Sequence, residues 1–239
     1  MFPIPAIDII DGQCVRLTRG DYAKQTTYAS SPADVAKRFE DAGFTRLHVV
    51  DLDGAKSRHV VNLRALSDIT RSTNLIVDFG GGIKTRSDLQ LAFDHGAAMV
   101  TVGSVAATHA AMVMRWAEEF GTERFILGAD VMDEKIRING WQEDGGMSLY
   151  DFIDSYHQQG FRQVLCTDIS RDGTLSGPAV ELYQRILKRY PDLYLIASGG
   201  VGGMADLHAL ERAGIPATVF GKAYYEGRIQ LEDLRQFIG

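Results

Sequence analysis

The sequence predicts an α/β fold, a single (β/α)8 TIM barrel, on three observations. Short apolar runs alternate with longer helical patterns almost from end to end. Eight such units fit within 239 residues, and motifs recur at nearly constant spacing in two halves, about 1–120 and 121–239. Strands are expected at Ile4–Ile10, Arg46–Asp51, Leu75–Phe79, Ala98–Val102, Phe125–Asp130, Gln163–Thr167, Tyr194–Ser198 and Ala217–Phe220. Runs such as LIVD and FILGAD lack polar alternation, which suits parallel strands buried on both faces.

Helices are expected between these strands. Ser31-Pro32-Ala33-Asp34 offers a capping serine, proline at the first helical position and an acid in the first turn. Thr85-Arg86-Ser87-Asp88 is a similar start. Gly43 and Gly160 follow amphipathic stretches where a helix end calls for positive φ. Repeated strand-plus-helix units of this length favour a closed barrel over an open doubly wound sheet.

Composition narrows the class. Hydrophobic residues make up 45% and charged residues 23%, enough to bury a large core. The net charge of −6 argues against nucleic-acid or anionic-membrane partners, although local N–H groups can still bind phosphate. Two cysteines, Cys14 and Cys166, form no CxxC or Cys/His cluster, so neither a disulfide framework nor a metal site is expected. The start, MFPIPAIDIIDG, has no basic region and is not read as a signal peptide. The apolar stretch from Ala97 to Met114 is broken by Thr101, Gly103 and Ser104, and is read as a strand followed by a helix. A cytoplasmic chain, monomeric by default, is the expectation.

The repeat concentrates attention on strand ends. Asp8 answers Asp130, Asp51 answers Asp168, Gly81-Gly82 answers Gly199-Gly200, and Gly103-Ser104 answers Gly221-Lys222. In a closed barrel these ends and their loops form the active-site face. Glycines there let backbone N–H groups approach phosphate oxygens, so two related pairs predict a ligand with phosphate near each end. A lone glycine pair would be read simply as a tight turn. Asp8 and Asp130 stand opposite one another in an eight-strand ring and suit acid–base work, whereas a single strand-end aspartate could equally cap a loop. Asp51, Thr167 and Asp168 could orient substrate or serve structure. Arg16, Arg19 and Gly20 lie in a long segment before the first helix and could close over an anion. Asn139-Gly140 reads as a hairpin turn, and Trp141 could stack on a heterocycle or pack on the rim. His48 is read as a core or rim residue.

The set PAIDIIDGQCVRL, LHVVDLDGA, DFGGGIK, TDISRDGTLSGP and ASGGVGG resembles the phosphoribosylformimino-5-aminoimidazole carboxamide ribotide isomerase family of histidine biosynthesis. The resemblance runs from about Pro3 to the end of the chain, with the motifs in family order. It implies a two-fold repeated barrel catalysing a cofactor-free Amadori rearrangement of an aldose-amine on a bis-phosphorylated substrate. It further implies Asp8 as general base, Asp130 as general acid and Thr167 in support. Gly81, Gly82, Gly103 and Ser104 match one phosphate site; Gly199, Gly200, Gly221 and Lys222 match the other. Arg16, Trp141 and Asp172 match loop positions that contact or cover substrate. The loop DVMDEKIRINGW departs from the shorter, glycine-richer family pattern. Two alternatives stand beside this reading. One is the sister cyclase of the pathway, which AID, VRL and NGW fit less well; the other is a non-catalytic phosphosugar-binding barrel, which would need no aspartate pair.

Overall fold

A computed structural model describes residues 1–18, 21–29 and 31–238. Arg19 and Gly20, expected above to help close over an anion, lie outside the described residues. Eight parallel strands form a closed ring. They are β1 (Phe2–Ile10), β2 (Arg46–Asp51), β3 (Ile76–Gly80), β4 (Met99–Val102), β5 (Phe125–Met132), β6 (Gln163–Asp168), β7 (Tyr194–Ser198) and β8 (Ala217–Phe220). Each pairs with its sequence neighbours, and β8 closes onto β1 through Phe2 and Ala217. At the opposite side Asp130 on β5 lies in register with Thr167 on β6. The predicted strands all form, with ends shifted by at most two residues.

Strand alternation sorts the core into two layers. On β1, Ile7 and Ile9 face outward into the large cluster shared with the helices. Ile4 faces inward and packs with Ile126, Leu165, Ile196 and Ala217, filling the lower barrel. Ala6 and Asp8 continue that inward row up to the mouth. The interior is therefore plugged below and open above. No helix among the described residues is long and apolar enough to cross a membrane.

Helix starts follow the sequence signals. Ser31 Oγ accepts the Asp34 N–H at 3.1 Å ahead of the helix Pro32–Asp41. Thr85 and Asp88 exchange hydrogen bonds in a capping box before the helix Arg86–Asp94.

Two segments read only in part from sequence are antiparallel hairpins. Gln13–Thr18 pairs with both β1 and Asp21–Ala29, so the segment expected to be a closing loop is instead an extension of the sheet. Its second strand is exposed along most of its length, which removes the apolar run that marks a buried strand. Lys135–Ile138 and Glu143–Ser148 form the second hairpin, after β5. Asn139 and Gly140, at φ 53° and 65°, supply the left-handed backbone its turn needs.

Asp51 ends β2 fully buried. Its carboxylate accepts N–H groups from Gly54 at 2.8 Å, Val61 at 2.7 Å and Asn62 at 2.9 Å, and the Asn62 side-chain amide at 2.7 Å. Of the two roles open to it from sequence, structural hydrogen bonding is the one this geometry fills. Asp51→Ala would orphan three backbone donors and is expected to cost about 3 kcal/mol. Denaturant titration checks this; an unchanged midpoint would show that water replaces the carboxylate.

Candidate active site

The mouth of the barrel holds a cavity of about 330 Å³. Its lining contains Asp8, Arg16, Asp130, Trp141, Thr167 and Asp172, together with both glycine groups. All fourteen residues to which the family resemblance gives a role meet here. Asp168 does not line it. Its carboxylate turns back onto its own loop, accepting the Ser170 N–H at 3.0 Å and Oγ–H at 2.6 Å, with Arg171 Nε at 3.4 Å. Of the two roles open to Asp168 from sequence, these contacts fill the structural one, a loop cap.

The two glycine turns are built alike. Gly81 and Gly82 have φ of 94° and 81°; Gly199 and Gly200 have 90° and 86°. A Cβ on Gly81 would lie 2.1 Å from the Asp51 carbonyl, and one on Gly199 would lie 3.1 Å from the Asp168 carbonyl. A Cβ on the second glycine of each turn, Gly82 or Gly200, would fall 2.5 Å from the His59 carbonyl or 2.3 Å from the Gly177 carbonyl. Both turns thus require glycine for conformation and for space. Beyond them, Asp88 accepts the Lys84 N–H at 3.2 Å and Asp206 accepts the Gly202 N–H at 2.7 Å.

The flanking groups are less symmetric. Ser104 Oγ accepts the Asn139 N–H at 3.1 Å, joining the β5 hairpin to one phosphate candidate. Lys222 Nζ donates to the Gly173 carbonyl at 2.8 Å and lies 3.7 Å from Glu226, so its charge anchors the loop after β6 beside the other. Lys84, which sequence reading did not single out, lines the cavity after Gly81-Gly82-Ile83. Burial and the nearby Arg58 lower its pKa, as happens to a cation without a close anion. Its place directly after GGGI was the available signal.

The two aspartates sit in different electrostatic surroundings. Arg16, from the hairpin after β1, donates to Asp8 at 2.8 Å and to the Ala6 carbonyl at 2.6 Å. Both side chains of this ion pair are only 14% exposed. The guanidinium lies 5.3 Å from the Tyr225 ring centroid, and Gly221 leaves room for it: a Cβ there would fall 1.8 Å from its terminal nitrogen. Asp130 has instead a neutral donor, Trp141 Nε1–H at 2.9 Å, from the hairpin after β5. Burial raises the Asp130 pKa, while Trp141, Thr167 and the charge of His48 oppose that rise. Asp172, on the loop after β6, is pushed up to about 6 by burial and by Asp8 and Asp130, against Arg16 and Lys222. His48 also lines the cavity, nearer the chemistry than a core or rim position suggests. Its inward parity with Asp8 could have revealed this, since Ala6 pairs with His48 across β1 and β2.

Fold and site together define a (β/α)8 barrel whose mouth gathers carboxylates between two like-built glycine turns. The chain belongs to the family described as histidine biosynthesis protein, whose pattern matches residues 4–230. It is 57% identical over 235 residues to a protein of Phocaeicola vulgatus, 98% of each chain being covered. Relatives from Bacteroides fragilis and Cytophaga hutchinsonii are 54% and 48% identical, again over 98% of each chain. All three are named 1-(5-phosphoribosyl)-5-((5-phosphoribosylamino)methylideneamino)imidazole-4-carboxamide isomerase.

Trp141→Phe removes a side-chain donor hydrogen-bonded to Asp130. Because that bond favours the ionised form, the Asp130 pKa is expected to rise further. Carboxyl-carbon NMR of the titrating aspartates reads the shift; an unmoved or lowered pKa would assign its control to other neighbours.

Proposed function

We propose that this chain catalyses the aldose-to-ketose isomerisation for which its relatives are named. The substrate is the aminoaldose with two phosphoribosyl groups, and the reaction is an Amadori rearrangement requiring no cofactor. The observation that carries the reading is the pairing of Asp8 and Asp130, from opposite strands, in one cavity between two like-built glycine turns. Each turn suits a phosphate, and Lys84 and Lys222 add positive charge on their loops.

The chemistry divides between carboxyl groups. Asp130, whose pKa burial raises, gives a proton to the furanose ring oxygen. The ring C–O bond breaks as the nitrogen lone pair forms a protonated Schiff base at C1. Asp8 then takes the proton from C2, and the C–H electrons form the C1–C2 double bond of an enolamine. Protonation at C1 and loss of the enol O–H proton give the ketose, so one hydrogen has moved from C2 to C1 overall. Thr167, in register with Asp130, supports its orientation.

One observation favours a second source for the first proton. Asp172 also lines the cavity, and its pKa of about 6 places it closer to neutrality than an ordinary carboxyl. A bound phosphate excludes water and adds negative charge, both of which raise that value further. On this reading the loop after β6 brings the acid, and Asp130 holds the sugar.

We also propose a cytoplasmic enzyme working as a single chain. Cys14 and Cys166 are buried and unpaired, in keeping with a reducing compartment. The matched turns support the division into halves 1–120 and 121–239.

Purified protein given the aminoaldose without ammonia is expected to turn over, followed by absorbance; no turnover sinks the isomerase reading and returns the cyclase to the front. Asp8→Asn is expected to lower kcat by about 10³-fold with substrate binding largely kept. Asp130→Asn and Asp172→Asn then separate the two acids. The true acid loses the alkaline limb of the pH–rate profile together with most of kcat, whereas the other variant keeps the limb. Equal, full activity in Asp8→Asn would remove the base from the scheme.

A further inference from the structure

The two halves differ where their spacing would make them alike. Below the aspartates the inward row of the first half is Ala6, His48, Asp78 and Thr101. At the matching positions of the second half stand Gly128, Leu165, Ile196 and Val219. One wall of the barrel is therefore polar and the other apolar. Leucine, isoleucine and valine fill the second wall without difficulty, so the fold itself does not call for a histidine and a buried acid in the first.

The polar wall is a connected group. His48 Nδ1 hydrogen-bonds Asp78 Oδ1, which also accepts the Thr101 Oγ1–H at 3.1 Å. Asp78 is 1% exposed, and its second oxygen is buried with no partner among the described residues. A carboxylate so enclosed needs a positive charge beside it. Burial works against a charge on His48, but Asp78 first, then Asp8, raise its pKa over that penalty, with Arg16 opposing. Asp130 faces the same ring from β5 and feels its charge. With Nδ1 committed to Asp78, Nε2 is the nitrogen left to the cavity that His48 lines.

We propose that His48, held as an imidazolium by Asp78, is a further substrate-contacting residue that donates its Nε2–H to an oxygen of the sugar lying between Asp8 and Asp130. This rests on the isomerase reading above and adds to it a fixed donor beneath the reacting carbons. Such a donor stabilises the oxygen at C2 as the enolamine forms, a role the neutral wall opposite cannot fill. Asp78 is then a positioning residue, acting through His48 alone, with Thr101 keeping its carboxylate in place.

The test uses the full chain as wild type, His48→Leu, His48→Gln and Asp78→Asn, with kcat and KM measured from mildly acidic to alkaline pH. Wild-type turnover tests the isomerase reading by itself, so that a failure there is distinct from a failure of this proposal. His48→Leu places at β2 the residue that the other half carries, and its circular dichroism spectrum reads whether it folds with Asp78 left without a charge partner. Its kcat/KM is expected to fall roughly a hundredfold, the scale for loss of one preorganised donor. His48→Gln keeps an N–H donor without the charge and is expected to recover about tenfold of that loss.

Asp78→Asn carries the decisive sign. A histidine with a raised pKa is charged below that pKa and loses its charge as pH rises through it. Removing the Asp78 charge lowers the pKa, so the ring loses its charge at lower pH, and the part of the alkaline fall that remains after loss of the acid's own limb moves to lower pH with it. Nitrogen-15 NMR of the His48 ring reads the same shift without substrate. Should any of the variants unfold, that ring titration in wild type still decides: a ring that stays neutral at neutral pH overturns the proposal. Folded His48→Leu with kcat/KM within about twofold of wild type would overturn it too, as would an Asp78→Asn profile that does not move.

Discussion

Closing eight parallel strands into a ring obliges every second side chain to point at the axis and brings all eight carboxyl ends to one mouth. The position of each functional group follows from that closure and from strand parity. Ile4, Ala6 and Asp8 form one inward row on β1, so the hydrophobic plug, the neutral spacer and the carboxylate lie at successive heights. A one-residue slip would turn the row outward and put Ile7 and Ile9 into the cavity. The register from Ala6 to His48 and from Asp130 to Thr167 is therefore part of the active site as well as of the fold.

Charge is managed at the same mouth. Three carboxyl groups, Asp8, Asp130 and Asp172, share a small cavity with Arg16, His48, Lys84 and Lys222. Burial, with the charges of Asp8 and Asp130 beside it, raises Asp172 to about 6, and burial raises Asp130. The cations do not simply cancel them. Arg16 is committed to Asp8 and Lys222 to a loop carbonyl, which leaves Lys84 beside the first glycine turn. Attraction for an anionic ligand is thus local and backbone-assisted, which reconciles a phosphate-binding reading with a net charge of −6.

The barrel was legible because parallel strands buried on both faces leave unmistakable apolar runs and because helix caps are local chemistry. Asp8 and Asp130 were legible through their matched spacing, and the glycine pairs through the same spacing. What sequence left open had a shared physical cause. The strand Asp21–Ala29 is polar because both its faces meet water, so neither period nor composition announces it. Asp168 reads like Asp51 in the repeat, yet the two carboxylates end differently. Asp51 is buried beneath Val61 and Asn62, and Asp168 folds onto Ser170. Such choices depend on which donors a loop happens to bring, and no spacing encodes them. His48 was visible as a strand residue, but its contact with Asp78 needs the register of β2 against β3.

The same dependence on loops gives equivalent positions different surroundings. Asp8 and Asp130 occupy the same height on β1 and β5, and a perfect repeat would give them the same acidity. Each is followed by a hairpin, and the hairpins differ in what they return to the strand end. The first brings the guanidinium of Arg16, which holds Asp8 in an ion pair and satisfies a carboxylate that must accept a proton. The second brings the indole N–H of Trp141, a single neutral donor that leaves burial free to raise the Asp130 pKa. One carboxylate has a guanidinium in direct contact, and the other has an indole N–H there while burial raises its pKa. The difference between the two carboxylates is then a property of the inserted hairpins, laid over a barrel that treats both strands alike.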